Sequence, residues 1–63
     1  RQYLLRIRVE AAARMLANTD RPVSEIGLQC GFHDHAHLSR SFKKLMQVTP
    51  TQHRKTHRLE SRS

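Results

Sequence analysis

Apolar residues recur along the first third of the chain at intervals of three and four: Leu5, Val9, Ala12 or Ala13, and Leu16. That spacing lays one apolar stripe along a helix and predicts an α-helix over about residues 2–18. Arg6, Glu10 and Arg14 follow each other at i,i+4 on a different face, where each opposite-charge pair adds a few tenths of a kcal/mol at most. The run Asn18-Thr19-Asp20-Arg21-Pro22 stops this helix, because proline disfavours a helical residue before it and suits the first turn of a helix after it. A short second helix over about residues 23–30 would bury Val23, Ile26 and Cys30, with Gly31 where helices commonly end left-handed.

The next turn reads Gly31-Phe32-His33-Asp34, and Asp34 can cap a third helix over about residues 34–47. On that helix Leu38, Phe42 and Leu45 fall within about 60° of one another and form an inner stripe. Ala36, Arg40 and Lys43 point the opposite way, flanked by His37, Ser39 and Lys44. Thr49-Pro50-Thr51-Gln52 opens a last helix over about residues 49–59: Thr49 is the cap, Pro50 takes the first helical position, and Gln52 reaches back to the cap amide. This helix is polar almost all round, with Leu59 as an anchor, and residues 60–63 read as a loose tail. The expected core is Leu5, Val9, Leu16, Ile26, Phe32, Leu38, Phe42 and Leu45, with Phe32 plugging the gap between helices and Cys30 as a small buried hydrophobe. The fold class is therefore all-α, with about four helices.

Composition sets limits on what those helices can do. With 63 residues and 7.4 kDa the chain is one small domain, able to bury about 60% of the surface of its unfolded state. Its 37% hydrophobic and 5% aromatic content makes a thin core and no deep substrate pocket. The longest apolar runs are three residues, as at 3–5 and 11–13, whereas a membrane span needs about 20. Twelve Lys and Arg against five Asp and Glu give a formal charge of +7. Such a charge is best relieved by a polyanion, so nucleic acid is the first partner to consider and an anionic membrane surface the second. The single cysteine, Cys30, excludes an intrachain disulfide and any Cys-x-x-Cys motif, which fits a reducing cytoplasm. The opening at Arg1, without Met, is expected of a fragment.

Two helices joined by a tight glycine turn, the second apolar inside and small, polar and basic outside, meet the requirements of a helix-turn-helix DNA reader. A helix lying in a groove about 12 Å wide must present side chains that are short or able to hydrogen-bond. Ala36 and Ser39 permit close approach, and His35, His37 and Arg40 reach towards base edges, so these five residues are the expected base-reading set. Lys43 and Lys44, Ser24 at the start of the second helix, and Arg54 in the last helix are the expected phosphate contacts.

No serine or cysteine beside a base, no paired carboxylates and no glycine-rich phosphate loop is present, so no catalytic activity and no cofactor are expected. His33, His35 and His37 alternate, and His53 and His57 are spaced i,i+4. His35 and His37 lie about 200° apart on a helix and cannot share one ion, and no metal site is expected. The rival reading from another class is a basic module for RNA or an anionic surface. RNA readers usually display aromatic side chains for stacking, and neither phenylalanine lies on the exposed face; membrane-surface helices need a free apolar face, and these stripes are taken up by packing.

The string from Val23 through Ile26-Gly27, Gly31-Phe32, Leu38-Ser39-Arg40 and Phe42-Lys43-Lys44 to Val48-Thr49-Pro50 resembles the second helix-turn-helix of the AraC/XylS family of bacterial transcription regulators. Tyr3-Leu4, Arg8-Val9 and Ala12 are similar to that family's long linker helix, and the resemblance covers about residues 2–58. It implies a homeodomain-like three-helix arrangement preceded by a linker helix. The chain then divides into a linker helix (1–19), a helix-turn-helix (23–47), a final helix (49–59) and a tail (60–63). Gly27 stands where the family usually has alanine, Gln47 where a glycine usually ends the recognition helix, and His53 where tyrosine is common.

The resemblance further implies that this is part of a DNA-binding unit of two such subdomains, in a regulator that often carries an effector-binding or dimerisation domain. The implied partners are a double-stranded DNA operator and the absent first subdomain, with RNA polymerase as a candidate. The implied location is the bacterial cytoplasm, at the nucleoid, with no membrane partner. Without the first subdomain, the apolar face around Tyr3, Leu4 and Ile7 is expected to leave the chain marginally stable or self-associating.

Overall fold

A computed structural model of the chain describes the backbone of residues 2–62 and the side chains of residues 3–57. The expectation placed on Leu59 as an anchor lies outside the described residues. The predicted first helix forms as α1 (Gln2–Asn18). It is followed by α2 (Val23–Gln29), α3 (His35–Met46) and α4 (Pro50–Arg62), an all-α arrangement. The last helix thus extends through residues that the sequence pattern assigns to a loose tail.

Each helix boundary has a local cause. Thr19 ends α1 by donating both its amide and its hydroxyl to the Met15 carbonyl, at 2.9 and 2.7 Å. Pro22 stands just before α2 rather than in its first turn. Its extended backbone (φ −57°, ψ 145°) starts the helix without a side-chain cap, and its carbonyl accepts the Ile26 amide at 3.0 Å. Asp34 caps α3 as expected, its carboxylate accepting the His37 amide at 2.8 Å. The Thr49 hydroxyl accepts the Gln52 amide at 3.1 Å while the Gln52 side-chain oxygen accepts the Thr49 amide at 3.0 Å, the reciprocal box expected at the start of α4.

The core lies where α1 meets the other three helices, and α1 packs against each of them. Val9, Ala12, Ala13 and Leu16 supply its side, Ile26 that of α2, Leu38 and Phe42 that of α3, and Phe32 closes the turn. Of the expected core, Leu5 and Leu45 are only partly buried, packed against its rim beside Val23, Cys30 and Val48. Cys30 behaves as a small hydrophobe: its Sγ lies 3.8 Å from the Met15 sulfur. Burial pushes its thiol up from the usual range, against the opposing pull of Arg14. The Arg6, Glu10 and Arg14 spacing does not close into ion pairs; Arg21, just before α2, and Glu25 on α2 do pair, at 3.8 Å and well exposed. Among the described residues no helix is long and apolar enough to cross a membrane.

Candidate nucleic-acid interface

The turn between α2 and α3 is held by backbone, by α1 and by its own side chains. Gly31 takes φ 95°. The Phe32 amide then donates to the Gly27 carbonyl at 2.9 Å and the Gly31 amide to the Leu28 carbonyl at 3.2 Å. These are the two bonds that close a helix through a left-handed glycine. Arg8 of α1 lies over this glycine, and a Cβ there would meet its Nε at 3.0 Å. Any residue other than glycine would bring backbone strain to this turn and would push the Arg8 side chain aside by a few tenths of an ångström. One helical turn earlier, a Cβ on Gly27 would meet Leu38 Cδ2 at 3.2 Å, so the bare backbone lets α2 approach α3 closely.

With the turn fixed, α3 buries Leu38, Ser41 and Phe42 and turns Ala36, Arg40 and Lys43 outward in one row. Lys44 flanks that row and is exposed, His35 is exposed at the start of the helix, and Ser39 is half-buried at its edge. The helix contains no acidic residue and ends in Lys43 and Lys44, so its outer surface is uniformly cationic towards the C-terminus. Ser24 is exposed in the first turn of α2. The structure thus brings His35, Ala36, Ser39, Arg40, Lys43 and Lys44 together on α3.

Two of the expected contact residues are otherwise engaged. Arg54 donates through Nε to the Leu16 carbonyl at 3.2 Å, and through one terminal nitrogen to the carbonyls of Thr19 at 3.1 Å and Arg21 at 2.6 Å. It gathers the carbonyls at and beyond the C-terminal end of α1 and so braces α4 against α1. The sequence shows that α1 has no basic residue in its last turn to meet its own orphan carbonyls, but not which distant residue supplies one. His37 turns back onto the turn rather than out towards solvent. Its Nδ1 accepts the His33 amide at 3.3 Å and its ring meets Phe32 edge-on, with centroids 5.2 Å apart.

On α4, His53 takes the place where the resemblance usually has tyrosine. Its ring meets Phe42 edge-on at 5.4 Å and stacks obliquely on His57 at 4.2 Å. Burial, and then the neighbouring His57, hold its pKa below the usual histidine range, while a hydrogen bond to the Ala13 backbone opposes them. Among the described residues no three His, Cys, Asp or Glu side chains converge as metal ligands would.

A tight left-handed turn between two packed helices, the second with a cationic outer row, defines a helix-turn-helix protein. The profile of a family described as "Helix-turn-helix domain" matches residues 1–56, and the chain belongs to that family, in its AraC type. It is 37% identical over 57 residues to the HTH-type transcriptional regulator ArgR of Pseudomonas aeruginosa, covering 90% of this chain and 17% of that protein. It is 40% identical over 53 residues to the HTH-type transcriptional activator RhaR of Mannheimia succiniciproducens, covering 84% and 19%. A third relative, the HTH-type transcriptional regulator Rv1931c of Mycobacterium tuberculosis, is 41% identical over 54 residues, covering 86% and 21%. The chain therefore spans about a fifth of the length of these regulators. No solved structure matches it.

Proposed function

We propose that the chain binds double-stranded DNA sequence-specifically as the C-terminal part of a bacterial transcription regulator, with α3 in the major groove. The observation that carries this reading is the outer row of α3: small at Ala36, guanidinium at Arg40 and ammonium at Lys43 and Lys44, all exposed over a sealed Leu38 and Phe42. A small residue lets the helix axis approach the bases. An arginine one turn on can make a paired contact to guanine worth about 1–3 kcal/mol of discrimination. His35, Ala36, Ser39 and Arg40 form the reading surface. Lys43, Lys44 and Ser24 meet phosphate and set the register. Burial of Phe32 and Phe42 at 3% and 0% exposure leaves neither phenylalanine free to stack single-stranded RNA bases, which supports duplex over RNA.

Tyr3, Leu4 and Ile7 are 78%, 48% and 42% exposed on α1. They form the seat for the first helix-turn-helix subdomain of the whole regulator, which acts in the cytoplasm at the nucleoid and has RNA polymerase as a candidate partner. The test is selection of duplexes from a random pool, followed by binding across a salt series. Arg40→Ala should relax preference at one base pair while leaving the others. Lys43→Ala should weaken all duplexes alike and make the salt slope shallower by about one unit. Failure to enrich any duplex sequence, or a uniform loss in Arg40→Ala, overturns the reading.

A further inference from the structure

His37 sits in the first turn of the helix that the proposed function places in the groove, yet its side chain faces the other way. Asp34 accepts the His37 amide at 2.8 Å, and the His37 Nδ1 accepts the His33 amide at 3.3 Å. Residues 33, 34 and 37 are thus tied together across the start of α3, a variant of the Thr49–Gln52 box in which an imidazole replaces the amide oxygen and accepts the amide of the residue before the cap rather than of the cap itself. The ring is also wedged edge-on against Phe32, the residue that plugs the turn, and tilted over His33 at 6.0 Å between centroids.

A backbone amide can only donate, so Nδ1 must hold a lone pair there and the proton of the neutral ring must sit on Nε2. We propose that His37 is a positioning residue of the DNA-reading surface: held as the Nε2–H tautomer, it latches the turn of residues 31–34 to α3. In doing so it sets the angle at which His35 and Ala36 meet the duplex. The proposal rests on the DNA-binding reading for its consequence and on the two capping bonds for its mechanism.

The latch acts on one end of α3 only. His35 and Ala36 are its immediate neighbours, whereas Lys43 and Lys44 lie in the last turn of the helix. A loosened first turn must be re-ordered each time it docks, which lowers affinity for a selected site. It leaves non-specific phosphate attraction in place.

The experiment compares the wild-type chain, His37→Ala and His37→Gln on a duplex selected by the wild type and on a random-sequence duplex of the same length. His37→Ala is expected to lower the ratio of selected to random binding roughly fivefold, with an unchanged order of base preferences. His37→Gln, whose side-chain oxygen can accept the His33 amide, is expected to restore the ratio. A change of preference confined to one base pair in His37→Ala, or no recovery in His37→Gln, overturns the latch.

Nitrogen NMR of the free wild-type chain above neutral pH gives a reading that needs no DNA. The latch requires an unprotonated Nδ1 and a protonated Nε2 on His37, and a proton found on Nδ1 overturns it. If no duplex is enriched at all, the DNA-binding reading falls and this spectrum still decides the latch.

Discussion

At Gln47 the backbone takes φ 70° on a residue that carries a Cβ. The left-handed region costs an ordinary L-residue roughly 1–2 kcal/mol, and α3 accepts this because the chain must turn at once towards the Thr49 cap of α4. The Gln47 amide still finds the Lys43 carbonyl at 2.9 Å, and the side chain is exposed and contributes no burial. Gln47→Gly should therefore raise the stability of the chain by about 0.5–1 kcal/mol, read as a higher midpoint of urea unfolding. Gly31→Ala should move the midpoint the other way, because the added methyl meets both an unfavourable φ and Arg8. Of these two turns only one is legible in the sequence. A glycine after a helical stripe announces a left-handed end, whereas Gln47 is forced into one by the entry into α4 and leaves no mark in its own identity.

At the scale of elements, the starts of α3 and α4 are readable because their caps are made by residues three apart in the chain. Asp34 with His37, and Thr49 with Gln52, need no tertiary partner to form. The end of α1 is of another kind. Its carbonyls at Leu16 and Thr19 are met by an arginine 38 and 35 residues away, so no local pattern reports the contact. Arg54→Ala is expected to destabilise the chain by about 1–3 kcal/mol, since it removes charged hydrogen bonds to several carbonyls at once. The same variant should leave the salt slope of DNA binding unchanged, and a slope made shallower by one phosphate contact would return Arg54 to the interface.

Over the whole molecule, α4 is seated on α1 and α3 through His53. Its ring faces Phe42 from α3, the Ala13 backbone from α1 and the His57 ring from its own helix. His53 is harder to protonate folded than unfolded, chiefly through burial and then through His57. The unfolded chain therefore binds more protons, and stability rises with pH. The contribution is fully present above the unfolded value near 6.5 and is lost as pH falls through the lower folded value. Thermal melting temperatures should fall between about pH 7.5 and 5.5, and His53→Tyr should flatten that dependence. A pH profile identical in the two proteins would locate the acid sensitivity elsewhere.

The helices, their caps at Asp34 and Thr49, the left-handed Gly31 and the inward stripe of Leu38 and Phe42 are determined by the sequence itself. Spacing along one helix, and hydrogen bonds within one turn, are set by residues a few positions apart. Only the tertiary structure decided that Arg54 serves α1 and that Arg8 closes over Gly31. Each of these contacts joins elements whose separation in the chain carries no periodic signal, and their geometry exists only once α1 has packed against the other helices. The direction of the His37 side chain, expected towards base edges, was likewise decided by the fold. A histidine in the first turn of a helix can face outward or fold back, and the Phe32 ring, itself fixed by the core, turns it inward.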